Sequence, residues 1–327
     1  MILAGDIGGT NARLALFTGP TGKPVASAAF KSAAYTSLES VTREFLGAKA
    51  KRVKAATFGI AGPVIDQRCV GTNLPWVVDA RVVARKLGIK HVTLLNDLVA
   101  LGFGALTVPR SKLRLLQGAS LPKRTGANLA IIAAGTGLGE AALVWDGDRH
   151  VPLATEGGHT DFAARTPLDW ELHAWLEKRF GHVSYERIVA GPGFTTLYDF
   201  FCEAKGVSES RESAEQIASA TDRNVAILDL GLAGVSEPAA RAVDLFVRVY
   251  GYEAGNLALK TLPTGGVFIG GGIAAKLADR LARGSFIEAF NDKGRFRPLL
   301  EKMPVAIVLD SQIGLAGSRL HASRKVS

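Results

Sequence analysis

Only two cysteines, Cys69 and Cys202, occur in 327 residues. That is too few for a disulfide framework or a cysteine-rich zinc site, and it fits a reducing compartment; a cytoplasmic protein is expected. The six histidines are scattered and no HExxH pattern occurs, which argues against a histidine-built metal centre. No apolar run approaches the length of a membrane span. The chain does not open on a basic segment, an apolar stretch and a cleavage site, so neither a membrane nor a secretory route is expected. Aromatic residues make up 7%, and no nucleic-acid motif accompanies the basic residues. These cluster loosely at residues 49–54, 110–114, 123–124 and 324–325. The resulting net charge of +9 reads as a solvated surface that mildly favours anionic substrates, with no nucleic-acid partner. Hydrophobic content of 47% and charged content of 21% are those of a soluble globular chain, long enough for two domains.

What the chain does have is glycine placed between apolar runs. Residues 5–13 read GDIGGTNAR between the runs 1–4 and 14–17. Strand, tight glycine turn and strand follow in succession. Glycine lets backbone N–H groups crowd around an anion. Asp6 would repel a bare phosphate, so the loop suits a metal-bridged one, Mg–ATP. The layout recurs at residues 128–145, where Ala134-Gly135-Thr136-Gly137-Leu138-Gly139 separates two apolar runs. Two such units suggest two halves built on one plan, each offering a loop to one nucleotide; a pair of ordinary β-hairpins is the plainer alternative. Neither loop carries the Gly-Lys-Ser/Thr of a P-loop. Neither leads into a helix as a dinucleotide fingerprint does. Bulk at Gly137 is expected to weaken ATP more than sugar.

The first 106 or so residues alternate strands and helices in the order βββαβαβα, which predicts a mixed sheet covered by helices. Thr36-Ser37-Leu38-Glu39 reads as a capping box, and residues 53–61 as a parallel-type strand. Asp79 to Leu87 reads as a capped helix ended by Gly88, and another helix follows Asp97. Residues 106–125 read as an irregular crossing to a second, helix-rich domain. In it Thr166-Pro167 and Ser236-Glu237-Pro238 open helices. A strand at 265–269 leads through Gly270-Gly271-Gly272 into a helix reaching Arg283, and the last segment, 313–323, reads as a helix.

Leu94-Leu95-Asn96-Asp97 puts a carboxamide and a carboxylate at the carboxyl end of a strand, the edge where α/β sheets bind ligands. Asp97 is either a general base beside a substrate hydroxyl or merely a helix cap. Glu156-Gly157-Gly158-His159 offers two side chains able to hydrogen-bond sugar hydroxyls. Glu186, in the stretch 181–193, reads as either a third such group or an ordinary helix-surface residue. Gly270-Gly271-Gly272 is either an approach for adenosine to the backbone or a tight turn.

The motifs GDIGGTNARLAL, TNLPW (72–76), LLNDLVA (94–100), AGTGLG, EGGHTDFA (156–163), GHVSYERIVAGPG (181–193), GGVFIGGGI (265–273) and DKGRF (292–296) resemble, in order and over nearly the whole chain, bacterial glucokinases. More loosely they resemble the hexokinase–actin–heat-shock-chaperone ATPases. The resemblance implies a two-domain α/β fold of actin/hexokinase type, with mixed sheets flanked by helices and the active site in the interdomain cleft. Residues 1–106 joined by a C-terminal helix at 312–327 would form the small domain, and 107–311 the large one. It implies Mg–ATP-dependent phosphorylation of D-glucose on its 6-hydroxyl, with Asp97 as base and Asn96, Asp97, Glu156, His159 and Glu186 on the sugar. Gly5, Asp6, Ile7, Gly8, Gly9 and Thr10 would form the first phosphate loop, and Gly135, Thr136, Gly137 and Gly139 the second. Gly271 and Gly272 would lie on the adenosine side. Asp6 would hold Mg²⁺ through water. A homodimer is implied. Two departures from the family pattern, residues 62–66 and Gln312-Ile313-Gly314, are expected to lie away from the chemistry, the first at most edging the sugar pocket. A kinase for mannose, fructose or an N-acetylhexosamine, a non-catalytic sugar sensor and a chaperone-like ATPase stand as alternatives.

Overall fold

The computed structural model describes residues 1–70 and 76–326; Thr72 to Pro75 of the TNLPW motif lie outside the described residues. The first sheet is built around β1 (Ile2–Ile7). It pairs antiparallel with β2 (Asn11–Phe17) and parallel with β4 (Ala55–Ile60). Both β1 and β4 are buried almost throughout, which is why they read as continuous apolar runs rather than as alternation. β3 (Ala26–Lys31) continues the antiparallel side. A small sheet of β5 (Val64–Ile65), β6 (Arg68–Val70) and β7 (Val77–Asp79) follows β4; the sequence reading contains no counterpart to it. β8 (His91–Asn96) closes the first sheet in parallel with β4.

The second sheet repeats this plan. β10 (Leu129–Ala134) pairs antiparallel with β11 (Leu138–Trp145) and parallel with β13 (Gly266–Gly270). β12 (His150–Thr155) and β14 (Val305–Val308) flank them. The orders β3-β2-β1-β4-β8 and β12-β11-β10-β13-β14 are the same arrangement twice. The second sheet adds β9 (Leu113–Gln117), antiparallel to β14. That strand lies inside the stretch expected to be irregular. Its partner is nearly two hundred residues away in sequence, so no local pattern announces it.

Helices α1 (Leu38–Leu46), α2 (Ala80–Leu87) and α3 (Asp97–Ala105) belong to the first half. The capping box of α1 is Ser37 with Ser40, not Thr36 with Glu39. Glu39 is buried and ion-paired at 3.2 Å with Lys86 of α2. The second half contributes α4 (Pro167–Phe180), α5 (Gly191–Asp199), α6 (Arg211–Ser219), α7 (Arg223–Ala233) and the long α8 (Glu237–Thr261). The expected caps are present: Thr166 accepts from the Asp169 N–H and Ser236 from that of Ala239. The helix expected from Gly270 to Arg283 is broken at Leu277 into α9 (Gly271–Lys276) and α10 (Ala278–Leu281); no glycine or proline marks the break.

Each sheet has its own apolar core, and a third lies between them. In that third core Leu95, Val99 and Phe103 meet Leu129, Ile131 and Leu143. The last helix (Ile313–Ser323) returns to the first sheet. Ser318 donates to the Gly5 carbonyl at 2.8 Å, and Thr57 and His321 are 3.1 Å apart. Burial pushes the His321 imidazole down to about 4, so it stays neutral there. A Cβ at Gly317 would overlap the Ala100 carbonyl, so glycine is what lets this helix cross α3 so closely. The helix under Asp97 is thereby wedged between the two halves.

Candidate active site

Asn96 and Asp97 divide two tasks that the sequence leaves entangled. Asn96 is the N-cap of α3: its Oδ1 accepts from the N–H groups of Leu98 and Val99 at 2.9 and 3.4 Å, and its Nδ2 donates to the Gly62 carbonyl at 3.2 Å. Asp97 is the first helical residue, and its carboxylate accepts from the Leu98 N–H at 2.9 Å. The cap is therefore Asn96, which takes two N–H groups of the first turn. Desolvation pushes its pKa up to about 7, the Leu98 N–H opposes the shift, and the charges of Asp6 and Glu156 add to it. A carboxyl poised near neutrality beside two other acids suits a general base.

The first glycine loop joins β1 to β2 and is closed by the Gly8 N–H on the Asn11 carbonyl at 2.9 Å. Ser32 donates to the Gly8 carbonyl at 2.8 Å and fixes the loop from outside. Gly8, Gly9 and Thr10 lie in the turn; Gly5, Asp6 and Ile7 lie in the strand before it. Gly5 packs against Phe58, where a Cβ would clash with the ring. Asp6 is raised by desolvation and lowered by Arg13, whose guanidinium is 3.2 Å away. Arg13 sits in the GDIGGTNAR motif without an assigned role. Its place opposite Asp6 follows from the antiparallel register, which alternation along β2 alone does not reveal. Gly314 also bears on this point: a Cβ there would lie 3.3 Å from the Asp6 Cγ. The departure at residues 312–314 thus adjoins the Asp6 carboxylate, contrary to expectation, because the last helix begins directly beside β1.

The second loop joins β10 to β11. The Gly135 N–H donates to the Gly137 carbonyl, and the Gly191 N–H to the Gly135 carbonyl, both at 2.8 Å. The start of α5 is so brought to the loop. Gly139 faces Leu98, and a Cβ there would overlap that side chain. Beside the loop lies a cavity of about 330 Å³ walled by Gly135, Thr136, Pro192, Asn224, Val225 and Ile273, among others. Gly271 and Gly272 adjoin Ile273 at the start of α9, but the walls come largely from α5 and α7. Nothing in the sequence of α7 announces this, since its contribution depends on how it packs beside α5.

Glu156, His159 and Glu186 come from two separate stretches. His159 and Glu186 meet, with Nε2 and Oε1 3.7 Å apart. Glu156 is exposed and close enough to Asp97 to raise its pKa. The Glu186 Oε2 accepts from the Leu138 N–H at 2.8 Å, so this carboxylate touches the second glycine loop as well. A Cβ at Gly137 would lie 2.5 Å from that same oxygen. Substitution at Gly137 therefore displaces Glu186 too. The expected result for Gly137→Ala is a rise in KM for both substrates, measured by steady-state kinetics, rather than for ATP alone.

The chain matches a family model described as Glucokinase over residues 3–325. A glucokinase from Synechocystis sp. is 38% identical, with 98% of each chain covered. The chain belongs to the glucokinase family. It is accordingly an enzyme of the glucokinase class, a transferase with the actin/hexokinase-like fold. The crystal structure of a glucokinase from an Antarctic psychrotroph superposes with a TM-score of 0.83 at 30% identity, covering 99% of this chain and 98% of that one. A Balamuthia mandrillaris glucokinase crystallised with glucose shares the fold, with a TM-score of 0.79 at 20% identity over 99% of this chain and 93% of its own. Among the described residues no helix is long and apolar enough to cross a membrane.

Proposed function

We propose that the cleft between the two sheets transfers the γ-phosphoryl group of Mg–ATP to the 6-hydroxyl of D-glucose. The Asp97 carboxylate takes the hydroxyl proton as the oxygen attacks phosphorus, the bond to the β–γ bridging oxygen breaks, and ADP leaves. Asn96, Glu156, His159 and Glu186 orient the sugar, whose hydroxyls both donate and accept. The backbone N–H groups of residues 9–10 and 136–137 hold the phosphates, and the cavity beside α5 and α7 takes the adenosine. Catalysis here is mostly positioning and charge stabilisation.

Mg²⁺ commonly binds one or two carboxylates along with substrate phosphates and water. Asp6 fits this: it is a half-buried carboxylate in a cluster of like charge with Asp97. Among the described residues no group of three or more metal-ligating side chains comes together, so the ion would be held chiefly by the nucleotide. Bound there, it would neutralise phosphate charge. We further infer that residues 1–106 with 312–327 form the small domain and 107–311 the large one. The reading extends to a cytoplasmic homodimer, for which sedimentation is the test.

The observation that carries the reading is the Asp97 carboxyl, freed from capping by Asn96 and raised to about 7 by burial. A base must be deprotonated to act. Below pH 7, kcat/KM for glucose is therefore expected to fall about ten-fold per pH unit. A coupled assay from pH 5.5 to 8 measures this. A profile flat down to pH 5.5 would remove Asp97 from the role.

A further inference from the structure

The two sugar-facing stretches rest on a common buried polar network that the mechanism does not use. Glu140 of β11 is 1% exposed, and among the described residues its Oε1 has no hydrogen-bond partner. Its Oε2 fills the space that a Cβ at Gly157 would need. Its backbone carbonyl accepts from Thr155 Oγ1 at 3.1 Å, and that oxygen accepts from the Gly157 N–H at 3.2 Å. Glu140 thus lies directly under the segment that carries Glu156 and His159. Behind it stands Glu253 of α8, fully buried. Glu253 accepts from Asn256 Nδ2 at 2.8 Å and from Lys260 Nζ at 3.3 Å. Asn256 also donates to the Tyr185 hydroxyl at 2.9 Å and accepts from Lys293 at 2.5 Å. Tyr185 immediately precedes Glu186, and its N–H donates to the Thr160 carbonyl at 3.2 Å. Glu253 is close enough to Glu140 to act on its carboxyl, so one chain of neighbours runs from Gly157 through Glu140, Glu253 and Asn256 to Tyr185, under both stretches.

Two carboxylates cannot hydrogen-bond each other unless one holds a proton. An ionised Glu140 would also leave a buried charge without a donor. We propose that Glu140 holds a proton and is a positioning residue for glucose, setting the Glu156–His159 segment against Glu186. Burial first and the Glu253 charge second raise the Glu140 pKa, with Lys260 opposing. The groups facing Glu140 and Glu253 are Lys260 and Tyr250 on α8, Tyr185 before Glu186, and Lys293 with Arg165 behind it. The proton is present at neutral pH and is lost as pH rises. Two negative charges under the loop then push it from its place, and glucose binding weakens on the alkaline side.

This inference rests on the assignment of Glu156 and Glu186 to the sugar, so the experiment carries a separate arm for that. KM for glucose and for ATP is measured from pH 6.5 to 9.5 in the wild type, Glu140→Gln, Glu140→Ala and Glu156→Gln. In the wild type KM for glucose rises above neutrality while KM for ATP holds. Glu140→Gln, whose amide keeps the donor and cannot ionise, abolishes that rise and keeps the neutral value. Glu140→Ala raises KM for glucose about ten-fold or more at every pH, as a misplaced binding group does. An alkaline rise that persists unchanged in Glu140→Gln would overturn the proposal even if Glu140→Ala fails to fold. So would a wild type without the rise, or a Glu140→Ala that raises both KM values alike. If Glu156→Gln leaves KM for glucose unchanged, the sugar assignment itself fails, which is a different result.

Discussion

Asp97→Asn lowers kcat by about 10²–10⁴-fold, the usual contribution of general-base catalysis, while glucose still binds with nearly the native Kd. The amide preserves shape and still accepts the Leu98 N–H that Asp97 receives at 2.9 Å. It cannot take a proton. It also removes one negative charge from the cluster with Asp6 and Glu156, so nucleotide binding is not expected to weaken. Stopped-time product assays give kcat, and calorimetry gives the two affinities. Near-native turnover would show that another group accepts the proton. An equal loss of glucose affinity would show that Asp97 chiefly binds.

The second large effect belongs to its neighbour. Asn96→Ala removes an N-cap that takes two N–H groups, and with it the bond to the Gly62 carbonyl. Loss of such a cap costs about 0.5–2 kcal/mol. The activity effect is expected to be larger than the stability effect, because α3 begins with Asp97 and a frayed first turn misplaces the base. A misplacement of this kind costs on the order of 10²-fold in kcat/KM. Asn96→Asp keeps the capping oxygen but loses the donor to Gly62 and adds a negative charge beside Asp97, so its melting temperature is expected to lie above that of the alanine variant and below the wild type. Comparing thermal melts with kcat/KM for the two variants separates the cap from the sugar contact. If the alanine variant keeps its activity, the division of labour between Asn96 and Asp97 is wrong.

What the sequence reveals here is mostly what repeats locally. The glycine loops lie between apolar runs, and strands buried on both faces leave exactly that signature, so both hairpins and the duplicated plan are readable. Helix caps at Thr166 and Ser236 are readable because serine, threonine and proline act within one turn. β9 is not readable, since its partner β14 is far along the chain and its own residues are only half-buried at a sheet edge. The place of Gly314 beside Asp6 and of Glu186 on the Leu138 N–H depends on crossings between elements distant in sequence. So does Glu140: it continues the second glycine motif as one more residue of a strand, and only the packing of α8 behind it makes its burial consequential. The resemblance to the family supplied the grouping of Glu156, His159 and Glu186, which spacing alone leaves as two unrelated polar stretches.

The central claim is that these side chains touch the sugar, and a cycle of enzyme variant against deoxy sugar tests it most directly. Wild type, Glu156→Gln and Glu186→Gln are assayed for kcat/KM with glucose and with each monodeoxyglucose that retains the 6-hydroxyl. A site that hydrogen-bonds a hydroxyl penalises the sugar lacking it, because a polar group is left unpaired. The account predicts that each variant loses part of that penalty at one hydroxyl position, with KM for ATP little changed. Strictly additive losses at every position would mean that neither carboxylate contacts the sugar.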